Sequence, residues 1–333
     1  MGWTDKQRKW EDGKMQNKGL EKYLSVVRDR KGWAWYESEV HPSVVSGILG
    51  RRVNGRSYSL GVWDYDEWLT ETKMDMMYGY VPWRWGRKEM VDDWGRNVYV
   101  GPDADLGDLV SPPPYTVLNN RLDELCKIKN NRGIEWALYT APMIVMDALG
   151  LEKFCFAISD DWGKLKSWIQ RIDERVRRQL DIILEYPVDV VQLTEVFCDK
   201  NGPMFPPNII EGLLSSLSWH AGTIHDENRL VSLHCDGDNE KLYDEYVRFG
   251  VDVFNGYEGK CQGADIHKWG GHLSFRGCID SWTLEQGTPD EIKRKVEEKK
   301  KTLGPHIIAS THDTGDVPLD NFKAMMEAAL DNS

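Results

Sequence analysis

From residue 133 to its end the chain keeps one rhythm. An apolar run of strand length is followed by a stretch with helical spacing, and the pair recurs at least five times. The runs are Gly133–Thr140, Val188–Thr194, Leu230–His234, Val251–Gly256, Leu273–Arg276 and His306–Ser310. Between them lie predicted helices at Met143–Leu149, Asp160–Tyr186, Asn208–His225, Glu240–Phe249, Thr288–Leu303 and Pro318–Leu330. In the longest, Leu165, Trp168, Ile169, Ile172, Val176 and Leu180 share a face, with Ser159 as the expected cap. Thr288-Pro289-Asp290-Glu291 reads as a capping box, and Gly250 and Gly304 read as helix stops. Strands separated by helices cannot pair through tight hairpins, so the alternation calls for a parallel sheet covered by helices. The sequence has no GxGxxG after an early strand, which disfavours a dinucleotide-binding sheet. At 333 residues the chain fits a (β/α)8 TIM barrel of the α/β class, preceded by an aromatic-rich helical extension. The expected division is an extension or cap at 1–55 and the barrel at 56–333, with Ser57–Trp63 as a first strand.

The N-terminal third is less regular. Met1–Arg30 reads as a polar helix with Leu20, Tyr23, Leu24 and Val27 on one stripe. Most of the 15 tryptophans fall before residue 100, among them Trp33, Trp35, Trp63, Trp68, Trp83, Trp85 and Trp94, interleaved with Tyr36, Tyr65, Tyr78 and Tyr80. Two readings stand: extra core in a tightly packed cap, or an aromatic-lined pocket for a flat organic ligand. Val100–Tyr115 is rich in Gly, Asp and Pro and reads as an irregular loop.

The net charge of −12 argues against non-specific nucleic-acid binding and against anionic membranes. No window approaches the ~20 apolar residues of a membrane span, and Met1–Lys31 has no apolar core of a secretory signal. The cysteines at 126, 155, 198, 235, 261 and 278 are scattered without a CxxC pair, as expected of reduced thiols in a cytoplasm.

Chemistry concentrates at Arg229–Asp238, where a short apolar strand ends in His234, Cys235, Asp236 and Gly237. Strand alternation puts Val231, Leu233 and Cys235 on one face and Ser232, His234 and Asp236 on the other. A His and Asp side by side at a strand end form either a structural hydrogen bond or part of a metal or catalytic site. Barrel active sites lie at the C-terminal ends of the strands, so the other ends count too. They carry Glu195, Cys198 and Asp199; then Glu258; then Arg276 and Asp280; then His312 and Asp313. Alternation groups Phe254, Gly256 and Glu258 on one face, and Ile308, Ser310 and His312 on another, while it sends Glu195 outward with Val191 and Leu193. Each charge alone reads as a solvated loop residue; together they describe a polar, metal-binding funnel, and zinc suits His with Glu, Asp or Cys ligands. His234, Asp236, His312 and Glu195 are the leading metal candidates, with Glu258 and Cys198 in reserve. His234, Glu195 and His312 are the catalytic candidates. Trp63, Trp83, Trp85, Tyr257 and Arg276 are candidates for holding substrate.

From about Val91 onward the chain resembles the uroporphyrinogen decarboxylase superfamily, which includes corrinoid-dependent methyltransferases. The similar segments run in the family's order: Asp92-Asp93-Trp94-Gly95, Ala148-Leu149-Gly150-Leu151-Glu152, Val188-Asp189-Val190-Val191, Leu233-His234-Cys235-Asp236-Gly237, Phe249-Gly250-Val251-Asp252, Gly287-Thr288-Pro289-Asp290-Glu291-Ile292 and Pro318-Leu319-Asp320-Asn321. The family's decarboxylases carry an early Arg-Gln-Ala-Gly-Arg-Tyr; this chain has Gly50-Arg51-Arg52-Val53-Asn54-Gly55-Arg56 instead. Its thiol-methylating members carry His-x-Cys and a late Cys as zinc ligands; here Asp236 stands at the first Cys and His312 near the second. The resemblance therefore implies a zinc-dependent methyltransferase that moves a methyl group from a small, oxygen-linked and possibly methoxylated aromatic donor (an O-demethylase type). The chain lacks a cobalamin-binding Asp-x-His-x-x-Gly, so the corrinoid is expected on a partner protein. A homodimer is compatible with this reading. Two alternatives remain: a lyase acting on another carboxylated substrate through Arg51, Arg52 or Arg56, and a non-catalytic ligand-binding barrel.

Overall fold

The structure is a computed structural model that describes residues 18–83, 89–91, 97–99, 112–257, 266–311 and 314–331. Eight parallel strands form one sheet: β1 (Trp33–Trp35), β2 (Met76–Gly79), β3 (Gly133–Tyr139), β4 (Val190–Glu195), β5 (Leu230–Cys235), β6 (Val253–Tyr257), β7 (Ser274–Ile279) and β8 (His306–Ser310). They follow chain order round the sheet, and β1 returns to pair with β8. A side chain draws the seam between β1 and β2 together. The Asp75 carboxylate accepts from the Trp35 N–H at 2.8 Å, and the Asp75 N–H donates to the Trp35 carbonyl at 3.0 Å. The expected (β/α)8 architecture is present as a nearly closed barrel.

The barrel begins earlier than the sequence rhythm indicated. β1 lies inside the 1–55 segment expected as an extension, so the barrel takes in part of that segment. Ser57–Trp63 is not a strand: Ser57–Ser59 is a 3-10 turn, and Val62 opens a helix to Thr72. The helical signal was there in the buried Tyr65, Trp68, Leu69 and Thr72, spaced i, i+3, i+4, i+7. Asn208–His225 divides into Pro207–Leu214 and Leu217–Asp226. Asp161 rather than Ser159 caps the long helix Trp162–Leu184, accepting from the Lys164 N–H at 2.9 Å. The Thr288 capping box forms as read.

Strand alternation sorts the core into two layers. The sheath holds outward residues such as Val191, Leu193, Val231, Leu233, Phe254 and Ile308, packed under the helices. The lumen holds Ala34, Met76, Ala137, Val190, Leu230, Val253 and Ile307, most of them near the starts of their strands. Helix α1 (Lys18–Val27) inserts Tyr23, Val26 and Val27 into this set. It thus stoppers the N-terminal end of the barrel, at about 1.5–3 kcal/mol per fully buried side chain. Among the described residues no helix is long and apolar enough to cross a membrane.

Candidate active site

The ladder register lines up a polar row across the C-terminal half of the lumen. Tyr139 of β3 opposes Thr194 of β4, Thr194 opposes His234 of β5, and His234 opposes Asn255 of β6. His234 and Asp236 leave the strand end toward the mouth, with 20% and 46% of their side chains exposed and 3.3 Å between Nε2 and Oδ1. The turn carrying Asp236 is firmly held. Gly237 has φ +83°, and a Cβ there would meet the Asp199 carbonyl at 2.5 Å. Asn239 donates from Nδ2 to the carbonyls of Cys235, Asp236 and Gly237 at 3.0–3.1 Å, and the Tyr246 hydroxyl donates to Asn239 Oδ1 at 2.7 Å. The sequence reading missed Asn239, although an Asn just past a Gly turn is a residue type that hydrogen-bonds nearby backbone.

The lumen beside His234 is polar where barrels usually carry branched apolar layers. Asn255 donates to Gln192 Oε1 at 2.8 Å, and Gln192 Nε2 reaches Thr194 Oγ1 at 3.4 Å. Arg276 and Glu135 form a fully buried ion pair at 2.8 Å, with the guanidinium 4.0 Å over the Tyr36 ring. Ser232 Oγ, Glu135 Oε1 and Arg276 Nε are buried without a hydrogen-bond partner among the described residues. Buried polar atoms of this kind are ordinarily met by water or ligand.

The structure separates the predicted site residues. His234 and Asp236 meet at the lumen mouth. Glu195 does not join them: its register partner is Cys235, and it is buried in the sheath with the Thr140 hydroxyl donating to Oε1. Burial pushes the Glu195 carboxyl well above its ordinary range. Cys198 is buried behind the same strands, and its thiol is raised by the hydrogen bond to Cys235, with burial adding to the shift. Cys235 is fully buried in the sheath, where the Phe197 N–H reaches its sulfur at 3.4 Å, as strand parity required.

The candidate substrate residues scatter. Trp63 is 73% exposed on the outer helix Val62–Thr72, and Trp83 is buried in the larger core. Tyr257 packs its ring on Phe275, 5.1 Å between centroids, after Gly256 with φ +107° shifts the register. Arg276 is committed to Glu135. Glu258, His312, Trp85 and the Asp92–Gly95 motif lie outside the described residues. The parity arguments for Glu258 and His312 started from Phe254 and Ile308, and both of these face the sheath. An aromatic cluster joins Tyr78 and Tyr80, which the sequence reading counted among the aromatics of the N-terminal third, to Tyr58 and Tyr139, which it did not single out.

A metal fits the donor pair as far as it goes. Two ligands at about 2.0–2.1 Å in tetrahedral array stand about 3.3–3.4 Å apart, which is the His234–Asp236 spacing of 3.3 Å. Among the described residues no third His, Cys, Asp or Glu joins them.

Residues 138–331 match the family model described as uroporphyrinogen decarboxylase (URO-D). Among solved structures the chain is similar to a methyltransferase from Methanosarcina mazei, at 16% identity and a TM-score of 0.70, covering 92% of this chain and 97% of that one. A GH18 chitinase, ChiB, from Flavobacterium johnsoniae covers 90% and 94% at 10% identity, with a TM-score of only 0.39. No curated protein matches the chain in sequence.

Proposed function

The chain belongs to the uroporphyrinogen decarboxylase family, and on that premise we propose that it is a methyltransferase of the O-demethylase type. It takes a methyl group from an oxygen atom of a small methylated compound and passes it to a corrinoid carried by a partner protein. The observation that carries this reading is the His234–Asp236 pair, a metal-spaced imidazole and carboxylate at the mouth of a polar lumen. These two side chains would hold a zinc ion, with His312 as the next candidate ligand, and the ion would supply Lewis-acid polarisation of the substrate oxygen. The methyl carbon would pass to the reduced corrinoid on the partner, whose electron pair makes the new bond, while the substrate oxygen keeps the pair of the broken bond and takes up a proton.

The chain's own residues do the positioning. Asn239, anchored by Tyr246, fixes the turn that aims Asp236. Thr194, Gln192 and Asn255 form a linked row that lines the lumen wall with donors and acceptors beside His234. This polar wall favours an oxygen-bearing substrate over a wholly apolar one.

The lyase alternative needs free arginines at the mouth. Arg51 instead pairs with Asp64 and Glu67 on the outer helix, Arg52 is exposed, and Arg56 pairs with Glu39 at 3.6 Å.

The test is zinc quantification on purified protein together with methyl transfer from a panel of methylated compounds to cob(I)alamin. Wild type should hold about one zinc per chain. His234→Ala should lose the zinc and lower transfer by at least about a hundredfold, with circular dichroism unchanged. Full zinc and full activity in that variant would remove the basis of the proposal.

A further inference from the structure

Three aspartates occupy the same place in the fold. Asp75 directly precedes β2, Asp189 precedes β4 and Asp252 precedes β6. Two of them lie in the segments Val188-Asp189-Val190-Val191 and Phe249-Gly250-Val251-Asp252, to which the methyltransferase reading gives no part.

Each makes the same three bonds. The carboxylate accepts an N–H near the start of the preceding strand: Trp35 of β1 at 2.8 Å, Ile134 of β3 at 2.8 Å and Val231 of β5 at 2.7 Å. The aspartate's own N–H donates back to the carbonyl of that same residue, at 3.0, 2.9 and 2.9 Å. Its carbonyl accepts from the first residue of the following strand: Gly133 of β3 at 3.2 Å, Leu230 of β5 at 3.0 Å and Ser274 of β7 at 2.8 Å. One aspartate thus ties three strands, and the three together string β1 to β7. A basic side chain backs each carboxylate: Lys22 of α1 at 3.3 Å, Lys129 at 2.6 Å and His225 at 2.8 Å.

The need is local. A ladder begins with N–H groups that the neighbouring strand does not yet reach, and a buried one must find another acceptor. A short carboxylate on the residue entering the neighbouring strand stands beside it. A bond to an ionised acceptor is roughly twice as strong as a neutral one.

β8 breaks the series. The residue before it is Pro305, which has neither carboxylate nor N–H. At its start β8 relies on its ladders to β7 and β1, and β1 offers only the three residues Trp33–Trp35. The far end of β7 is itself irregular. Gly277 and Cys278 have φ +127° and +88°, the second a conformation that side chains rarely adopt.

We propose that the three aspartates are a repeated clasp that fixes β1 to β7 as one rigid array, so that the barrel loosens first at β8, the strand without a clasp. This stands apart from the function proposed above and needs neither metal nor substrate.

The experiment is native-state hydrogen exchange on the full chain, resolved to single amides. In wild type, Ile307 and Ile308 of β8 should exchange at least about tenfold faster than Val191 of β4 and Leu233 of β5. Asp189→Ala should speed exchange at Ile134, and Asp252→Ala at Val231, by about ten- to a hundredfold beyond any change in the other strands. Asp189→Asn and Asp252→Asn keep an acceptor oxygen and should keep most of the protection. β8 exchanging as slowly as β4 and β5 overturns the proposal, and so does exchange at Ile134 and Val231 that the alanine variants leave unchanged. The wild-type comparison decides the matter even where an alanine variant fails to fold.

Discussion

Glu135 in the lumen and Glu195 in the sheath are both buried carboxylic acids, and they meet different partners. In the lumen, Glu135 is fully buried with the Arg276 guanidinium at 2.8 Å. In the sheath, Glu195 accepts from the Thr140 hydroxyl, and burial drives its carboxyl upward. Glu37, just past β1, is the same case: it accepts from the Ser310 N–H and hydroxyl and from Thr314, and burial raises it to about 7. At these positions Glu135 has a cation beside it, whereas Glu195 and Glu37 have hydroxyl or amide donors and are raised by burial; Asp173 in the helix layer, by contrast, pairs with Arg177 at 2.7 Å. The difference bears on function, because chemistry that needs ionised ligands belongs where charge is sustained. His234 and Asp236 open on that side, and Glu195 does not.

The largest effect should come from breaking the lumen's pair. Arg276→Met leaves Glu135 buried without its cation and should cost about 3–5 kcal/mol of unfolding free energy at pH 7, read by urea denaturation. Adding Glu135→Gln should recover most of that loss, since a neutral pair needs no counter-charge. A single-variant loss below about 1 kcal/mol would mean that the lumen, too, tolerates a lone acid, and the contrast would dissolve.

Glu37 tests the sheath by pH. Its folded value of about 7 lies above the ordinary carboxyl value of 4.5. The folded protein therefore binds the extra proton between those values, and stability falls as pH rises through the window. The contribution is fully present below about 4.5 and lost above about 7. Glu37→Gln removes this titration while keeping an acceptor for the Ser310 N–H. Relative to wild type, the variant should gain about 2–3 kcal/mol between pH 4.5 and pH 8. His306, which burial holds down to about 4, titrates alike in both proteins and cancels in the difference. A pH-independent difference would show that Glu37 is ionised in the fold.

The contrast was only partly legible in the sequence. The parallel barrel followed from strand–helix alternation, because that pattern depends on local periodicity alone. The lumen position of His234 followed from parity, because β5 is regular from Leu230 to Cys235. The backbone breaks step at Gly256, φ +107°, where the register of β6 against β7 shifts between Asn255 and Tyr257, and the Tyr257 ring packs on Phe275. The parity groupings that reached Glu258 and His312 began from Phe254 and Ile308, which face the sheath, and the two residues themselves lie outside the described ones. β1 was hidden because a three-residue strand, Trp33–Trp35, is too short to show a period. The tyrosine cluster joins Tyr58 of a 3-10 turn, Tyr78 and Tyr80 in and just past β2, and Tyr139 at the end of β3, and the ladder from β2 to β3 brings the last three together.

The smallest expected effect is also the sharpest check on the site. Glu195, the last residue of β4, was a candidate ligand and catalyst, yet it opposes Cys235 and lies in the sheath. Burial raises the Glu195 carboxyl, so a neutral isostere is the natural replacement, and Glu195→Gln should change stability by no more than about 1 kcal/mol. Gln keeps an oxygen for the Thr140 hydroxyl to donate to. Zinc content and the rate of methyl transfer should stay within about twofold of wild type, because a residue on the far face of β4 touches neither metal nor substrate. Were Glu195 a ligand, the amide would weaken metal binding by the 10- to 100-fold or more typical of altered ligands and their supports. Loss of zinc in this variant would put Glu195 on the lumen side in solution and dissolve the division between the two layers at the site.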